Sequence, residues 1–157
     1  MKKADEKRII FVCTGNTCRS PMAEAIFRYE INRRGLSASV SSAGIAAESD
    51  GKMSFNAMRT LSNHGLSIEN FTPVQFNEAL AKDAYALVCM TDQQKGWLLN
   101  LLPKEMQANV YTFSDFYGQC IPDPYGQTVE AYEATYQALE GGMSALIEKL
   151  FGETAEK

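Results

Sequence analysis

Five residues separate Cys13 from Arg19, and the segment Cys13-Thr14-Gly15-Asn16-Thr17-Cys18-Arg19-Ser20 has the residue types and spacing of an anion-binding loop. A loop this short, turning at Gly15, can curl so that successive backbone N–H groups point inward as a nest. Ser20-Pro21 then reads as a helix start, with Ser20 as N-cap and Pro21 at the first helical position. A helix N-terminus adds unpaired donors and the positive end of the dipole. Arg19 supplies a planar fork matched to two oxygens of a tetrahedral oxyanion. In that positive potential a thiol at the base of the loop is poised as a thiolate, so Cys13 is placed for in-line attack on a bound phosphorus centre. Such a nucleophile needs a proton donor for the leaving group, and later a base for water. Asp123, in Ile121-Pro122-Asp123-Pro124-Tyr125-Gly126, is the candidate, with Asp115 as a competitor. From spacing alone such a segment is more often just a turn.

Other chemistries fit less well. A nucleotide P-loop needs Lys-Ser/Thr after its last glycine, and no lysine lies between Lys7 and Lys52. Zinc is disfavoured, because the chain has no Cys-x-x-Cys and His64 is its sole histidine. The remaining cysteines, 18, 89 and 120, form no disulfide framework expected of a chain this size in a reducing compartment. Cys89 reads as a small buried hydrophobe.

The elements that must position the loop follow from periodicity. Ile9-Ile10-Phe11-Val12 is an apolar, β-branched run that reads as a strand buried on both faces, ending at Cys13. The helix after Ser20 carries Met22, Ala25, Ile26 and Tyr29 on one side and stops at Gly35. Further strands are expected at Ala38–Ser42, Tyr85–Met90 and Val110–Phe113. Ser54 should cap a helix with Ala57, Met58 and Leu61 inward, closed by Gly65. Asp92 should cap one bearing Trp97, Leu98 and Leu101 before Pro103. In the last helix Val129, Tyr132, Tyr136, Leu139, Met143, Leu146 and Leu150 form one apolar stripe; Gly141-Gly142 within it predicts a kink or a close packing contact. Strands alternating with helices predict an α/β fold with a mostly parallel sheet, whose ligands bind beyond the carboxyl ends of the strands. That is where Cys13 lies.

With 157 residues, 45% of them hydrophobic and 22% charged, the chain is read as one globular domain, 1–157. The net charge of −4 is concentrated in residues 130–157, which hold six Glu and two Lys, and the remainder is neutral. That distribution argues against nucleic-acid or anionic-membrane partners. The apolar run at Ile9 is too short for a signal-peptide core and no stretch could span a bilayer, so a cytoplasmic protein is expected.

The motif Val12-Cys13-Thr14-Gly15-Asn16-Thr17-Cys18-Arg19-Ser20-Pro21-Met22-Ala23-Glu24 resembles the signature of the low-molecular-weight protein-tyrosine-phosphatases. Ser42-Ala43-Gly44, Val88-Cys89-Met90 and Asp123-Pro124-Tyr125 resemble that family's later landmarks in the same order. The resemblance implies a single three-layer, flavodoxin-like domain with a four-stranded parallel sheet and helices on both faces. It implies a mechanism without metal or cofactor, in which Cys13 forms a phosphocysteine. Arg19 would bind the phosphoryl oxygens, and Asp123 would act first as acid and then as base. By the same resemblance the whole loop, Thr14, Gly15, Asn16, Thr17, Cys18 and Ser20, holds the phosphate, with Ser42 supporting it. Cys18 would trap oxidised Cys13 as a reversible disulfide. Tyr125 would wall the cleft, since Ala46 and Ala47 stand where members often carry an aromatic residue. The family histidine that supports the loop is missing, with Asn70 and Phe71 at its expected place. Phosphorylated proteins are the implied substrates, with inorganic phosphate or other oxyanions also binding the loop. Thr17, in place of the usual aliphatic residue, resembles the protein-arginine-phosphatases of Gram-positive bacteria, leaving phosphotyrosine and phosphoarginine both open. The alternatives are a thioredoxin-coupled arsenate reductase, which would need Cys89 and Cys120 as a relay, or a non-catalytic phosphate-binding module.

Overall fold

The computed structural model of the chain describes residues 6–47 and 51–152. Four strands, β1 (Lys7–Cys13), β2 (Ala38–Gly44), β3 (Ala86–Cys89) and β4 (Val110–Thr112), form one parallel sheet in the order β2-β1-β3-β4. The helices are α1 (Arg19–Arg34), α2 (Phe55–Asn63), α3 (Glu78–Lys82), α4 (Asp92–Leu101), α5 (Ser114–Tyr117) and α6 (Val129–Phe151). The expected α/β architecture, a four-stranded parallel sheet covered on both faces, is the one observed.

The apolar run of β1 has its cause in those two covered faces. Ile9, Phe11 and Cys13 point into one core with Met22, Ile26 and Phe27 of α1 and the stripe of α6. Ile10 and Val12 point into the other with Leu87 and Cys89 of β3 and Leu98 of α4. Alternate residues therefore meet different layers, and neither face of the strand can be polar. The strand order reverses direction between β1 and β3, so the crevice beyond their carboxyl ends receives the loop that follows Cys13.

Several local expectations are corrected. Ser20 is not the N-cap of α1; Cys18 is, with no side-chain cap, and Ser20 lies within the first turn. Gly35 does terminate α1, in the left-handed conformation at φ 70°. Ser54 occupies the N-cap of α2 without capping it through its side chain. Thr91, not Asp92, caps α4, in a reciprocal capping box with Gln94. Met58 was expected inward and is 46% exposed, because α2 turns its Ala57, Thr60 and Leu61 face to the core; Trp97 and Leu101 of α4 are 37% and 41% exposed while Leu98 is buried. The stripe of α6 does face the core, and its paired glycines mark close contact rather than a break in the helix. A Cβ on Gly142 would lie 2.5 Å from Phe113 Cε1, and one on Gly141 3.0 Å from Tyr117 Cε1. His64 caps the carboxyl end of α2, stacks on Tyr136 at 3.8 Å and reaches Glu133 Oε2 at 2.9 Å, tying α2 to α6.

Candidate active site

The loop leaving β1 folds around a single buried amide. Asn16 is fully buried in the left-handed region, at φ 59°. The backbone N–H of Val74 donates to its Oδ1 at 2.8 Å, which fixes which end of the amide faces which way. Both amide hydrogens are then committed, to Ser20 Oγ at 2.8 Å and Ser42 Oγ at 3.0 Å. Ser42 passes its own hydrogen to Glu24 Oε1 at 2.8 Å, and Glu24 is neutralised by Arg28 at 2.7 Å. Ser20 Oγ, an acceptor from Asn16, lies 2.9 Å from Cys13 Sγ and donates to it when the sulfur is a thiolate. The backbone N–H of Asn16 adds a second donor to that sulfur at 3.3 Å. A chain of hydrogen bonds thus runs from the buried Glu24 carboxylate through Ser42, Asn16 and Ser20 to the Cys13 sulfur. Donors converging on a sulfur stabilise its anionic form.

The lack of a family histidine is resolved here. Asn70 turns the chain at φ 55°, Phe71 packs against the core, and the loop is held by the Val74 amide and the Glu24 carboxylate instead. Gly44, at the end of β2, is required by the loop's approach: a Cβ there would sit 2.5 Å from Thr14 O. On the far side Gln94 accepts from the Met90 and Thr91 amides and donates to Thr14 Oγ1 at 3.1 Å, joining α4 to the loop.

The loop floors a pocket of about 260 Å³ that Cys13, Thr17, Arg19, Ala46, Asp123 and Tyr125 help to line. Arg19 is 4% exposed; its Nη1 donates to Ile121 O at 3.0 Å, and its Nε is buried without a protein acceptor. Its Nη2 lies 3.7 Å from Asp123 Oδ2. Burying an unsatisfied guanidinium donor is unfavourable unless a ligand completes it, and an oxyanion in the pocket supplies that acceptor. Asp123 is oriented by the Tyr125 N–H on Oδ1 at 3.0 Å, while its side chain stays 51% exposed at the mouth. Asp115 is elsewhere, accepting from the Thr112 N–H at 3.1 Å.

Burial pushes the Cys89 thiol up to about 12. Cys18 is also raised by burial, opposed by hydrogen bonding from Tyr132, Thr17 and Ser54. Tyr132 Oη is 3.4 Å from Cys18 Sγ and accepts from Ser54 Oγ at 3.0 Å. Cys89 is fully buried within β3 and, like Cys120, is a free thiol. No group of three or more His, Cys, Asp or Glu among the described residues is placed to hold a metal ion.

Sequence reasoning named the loop, Ser42, Asp123 and Tyr125, and the structure brings these together. It missed Glu24, Gln94, Ser54 and Tyr132. A hydroxyl at Tyr132 within an otherwise apolar stripe was the available signal, because a buried phenol requires a partner.

The model of the family described as low molecular weight phosphotyrosine protein phosphatase matches residues 8–156. The chain belongs to that family. As such it is a protein phosphatase, and the arsenate-reductase reading is not favoured. Among its relatives is the protein-arginine-phosphatase of Bacillus subtilis, 34% identical over 146 residues covering 90% of this chain and 95% of that protein. The low molecular weight protein-tyrosine-phosphatase Wzb of Salmonella typhi is also 34% identical, over 134 residues covering 85% and 87%. A solved structure of a YwlE arginine phosphatase superposes with a TM-score of 0.86 at 33% identity, covering 93% of this chain and 97% of that one. That structure is of a cysteine-to-serine mutant whose active-site serine is phosphorylated. No helix among the described residues is long and apolar enough to cross a membrane.

Proposed function

We propose that this chain is a single-domain, cytoplasmic protein phosphatase that prefers phosphoarginine over phosphotyrosine. Relatives named protein-arginine-phosphatase and protein-tyrosine-phosphatase share the same 34% identity with it, so the preference is argued from the pocket. The observation that carries it is Thr17, which lines the pocket at 6% exposure beside Cys13. A hydroxyl there can hydrogen-bond a guanidinium or its water, whereas an aliphatic wall favours a phenyl ring. Ala46 leaves the facing wall open to a polar side chain, and Tyr125 closes the other.

In the proposed mechanism the phosphoryl group lies in the loop with its oxygens on Arg19. Cys13 Sγ attacks phosphorus in line, forming the S–P bond as the P–N (or P–O) bond breaks. Asp123 gives its proton to the departing guanidine or phenol. Asp123, now a carboxylate, takes a proton from water as the water oxygen attacks phosphorus, and the S–P electron pair returns to Cys13. Ser20 and the Asn16 N–H stabilise the sulfur anion at both ends of this cycle. Asn16, Ser42, Glu24 and Gln94 hold the loop; Thr14, Gly15 and Cys18 complete its wall. Inorganic phosphate and related oxyanions occupy the same seat.

Paired hydrolysis of phosphotyrosyl and phosphoarginyl peptides by wild type and Thr17→Ile tests the preference. Wild type should favour phosphoarginine, and Thr17→Ile should move the ratio toward phosphotyrosine. An unchanged ratio removes the role given to Thr17.

A further inference from the structure

We propose that the apolar groove along α2 is a docking surface for the polypeptide of the phosphoprotein substrate, taking an apolar side chain near the phosphoresidue. This rests on the chain acting on phosphoproteins and adds where the rest of the substrate binds. Phe55 is 69% exposed and Met58 46%, one turn apart on the same face of α2. With Met53, Ile68 and Phe71 they line an open groove of about 670 Å³. Phe55 and Met58 stand exposed beside a floor that Met53, Ile68 and Phe71 supply from the edge of the core, a contiguous apolar surface of the kind a docking site presents.

Continuity with the catalytic pocket identifies the occupant. Met53 and Phe55 flank Ser54, whose backbone N–H donates to Thr17 O at 2.9 Å, and Thr17 lines the catalytic pocket. The groove therefore begins one residue from the phosphate loop. Ser54 is held there by its hydroxyl bond to Tyr132 Oη at 3.0 Å, so the approach is anchored to α6 rather than free to drift. A phosphoresidue seated over Cys13 carries its flanking chain across this edge. At ~3.4 Å per extended residue, positions about two to four away reach the groove. Lys52 on its rim favours acidic over basic neighbours in that flank.

The experiment compares para-nitrophenyl phosphate, which lacks a flank, with phosphopeptides built of serine and glutamate in which leucine is scanned through the four positions on each side. Wild type, Phe55→Ser and Met58→Ser are assayed, and their sedimentation is measured. A leucine at one or two positions should raise kcat/KM by about five- to tenfold for wild type, since burying part of one apolar side chain is worth that much. Both variants should lose the leucine advantage while keeping wild-type rates on para-nitrophenyl phosphate. The proposal is overturned if leucine confers no advantage, or if the variants keep it. It is equally overturned if they lose both substrates in proportion, or if wild type is a dimer that Phe55→Ser dissociates. A wild type inert toward para-nitrophenyl phosphate and every peptide would instead remove the phosphatase reading itself.

Discussion

Ser20 Oγ lies 2.9 Å from Cys13 Sγ and accepts from Asn16 Nδ2, which leaves its own hydrogen to donate to that sulfur whenever the sulfur is a thiolate. A hydrogen bond to a charged group is worth about 1.5–3 kcal/mol, and this one acts on the sulfur both as nucleophile and as leaving group. Ser20→Ala should therefore lower kcat by about 10- to 100-fold, with KM falling or unchanged as phosphoenzyme accumulates. Rapid-quench kinetics measure this; an unaltered kcat would show that the hydroxyl serves only the loop's packing.

Ser20 also shows where the sequence was misleading. Ser-Pro reads as a cap, yet α1 begins one residue earlier, at Arg19, and the Ser20 hydroxyl bonds Asn16 Nδ2 and Cys13 Sγ instead. Cys13, Arg19 and the run of β1 were legible because local spacing and periodicity carry their roles. Glu24 was not legible. In sequence it is one more acid early in a helix, and its burial arises only when β2 brings Ser42 beside it. Gln94 and Tyr132 reach the loop from elements far away in the chain, joined only by the sheet order. Met58 failed for a related reason: α2 has too few turns for helical period to say which apolar positions α6 and α1 together cover.

Gly44 offers a stability test independent of catalysis. Its absent Cβ leaves room for Thr14 O and the Asn16 backbone, and Gly44→Ala would place carbon 2.5 Å from that carbonyl. Something must move, at about 1–3 kcal/mol for overpacking. Thermal unfolding should show a lower Tm together with weaker protection by added phosphate. Gly96→Ala, in α4 with nothing within 4 Å of the new Cβ, should leave phosphate protection intact and raise stability slightly. Equal behaviour of the two would contradict the packing described for the loop.

The thiols should separate by reactivity. Burial holds Cys89 at about 12, against an ordinary 9.0, and raises Cys18, so both are protonated at neutral pH. Iodoacetamide at pH 7 should label Cys13 first and phosphate should block it, read by peptide mass spectrometry. The same shifts carry a pH dependence. Groups whose folded-state values are raised favour the folded state fully below the ordinary value and lose that contribution as pH rises. For Cys89 the loss runs from 9.0 to about 12, so alkaline unfolding should begin in that window. A Cys89→Ala or Cys89→Val variant should show a flatter alkaline limb. Labelling of Cys89 at pH 7 ahead of Cys13 would contradict the placement of both.

The central claim is that Cys13 carries the phosphoryl group between two half-reactions. Asp123→Asn, which cannot supply a base to water, should let that species build up when para-nitrophenyl phosphate, whose leaving group departs without an acid, is added. Acid quench and mass spectrometry then locate the adduct. The account predicts one phosphoryl group on the Cys13 peptide, lost on return to wild-type Asp123 and absent in Cys13→Ala. Turnover by Cys13→Ala, or a phosphoryl group found on another residue, would contradict it.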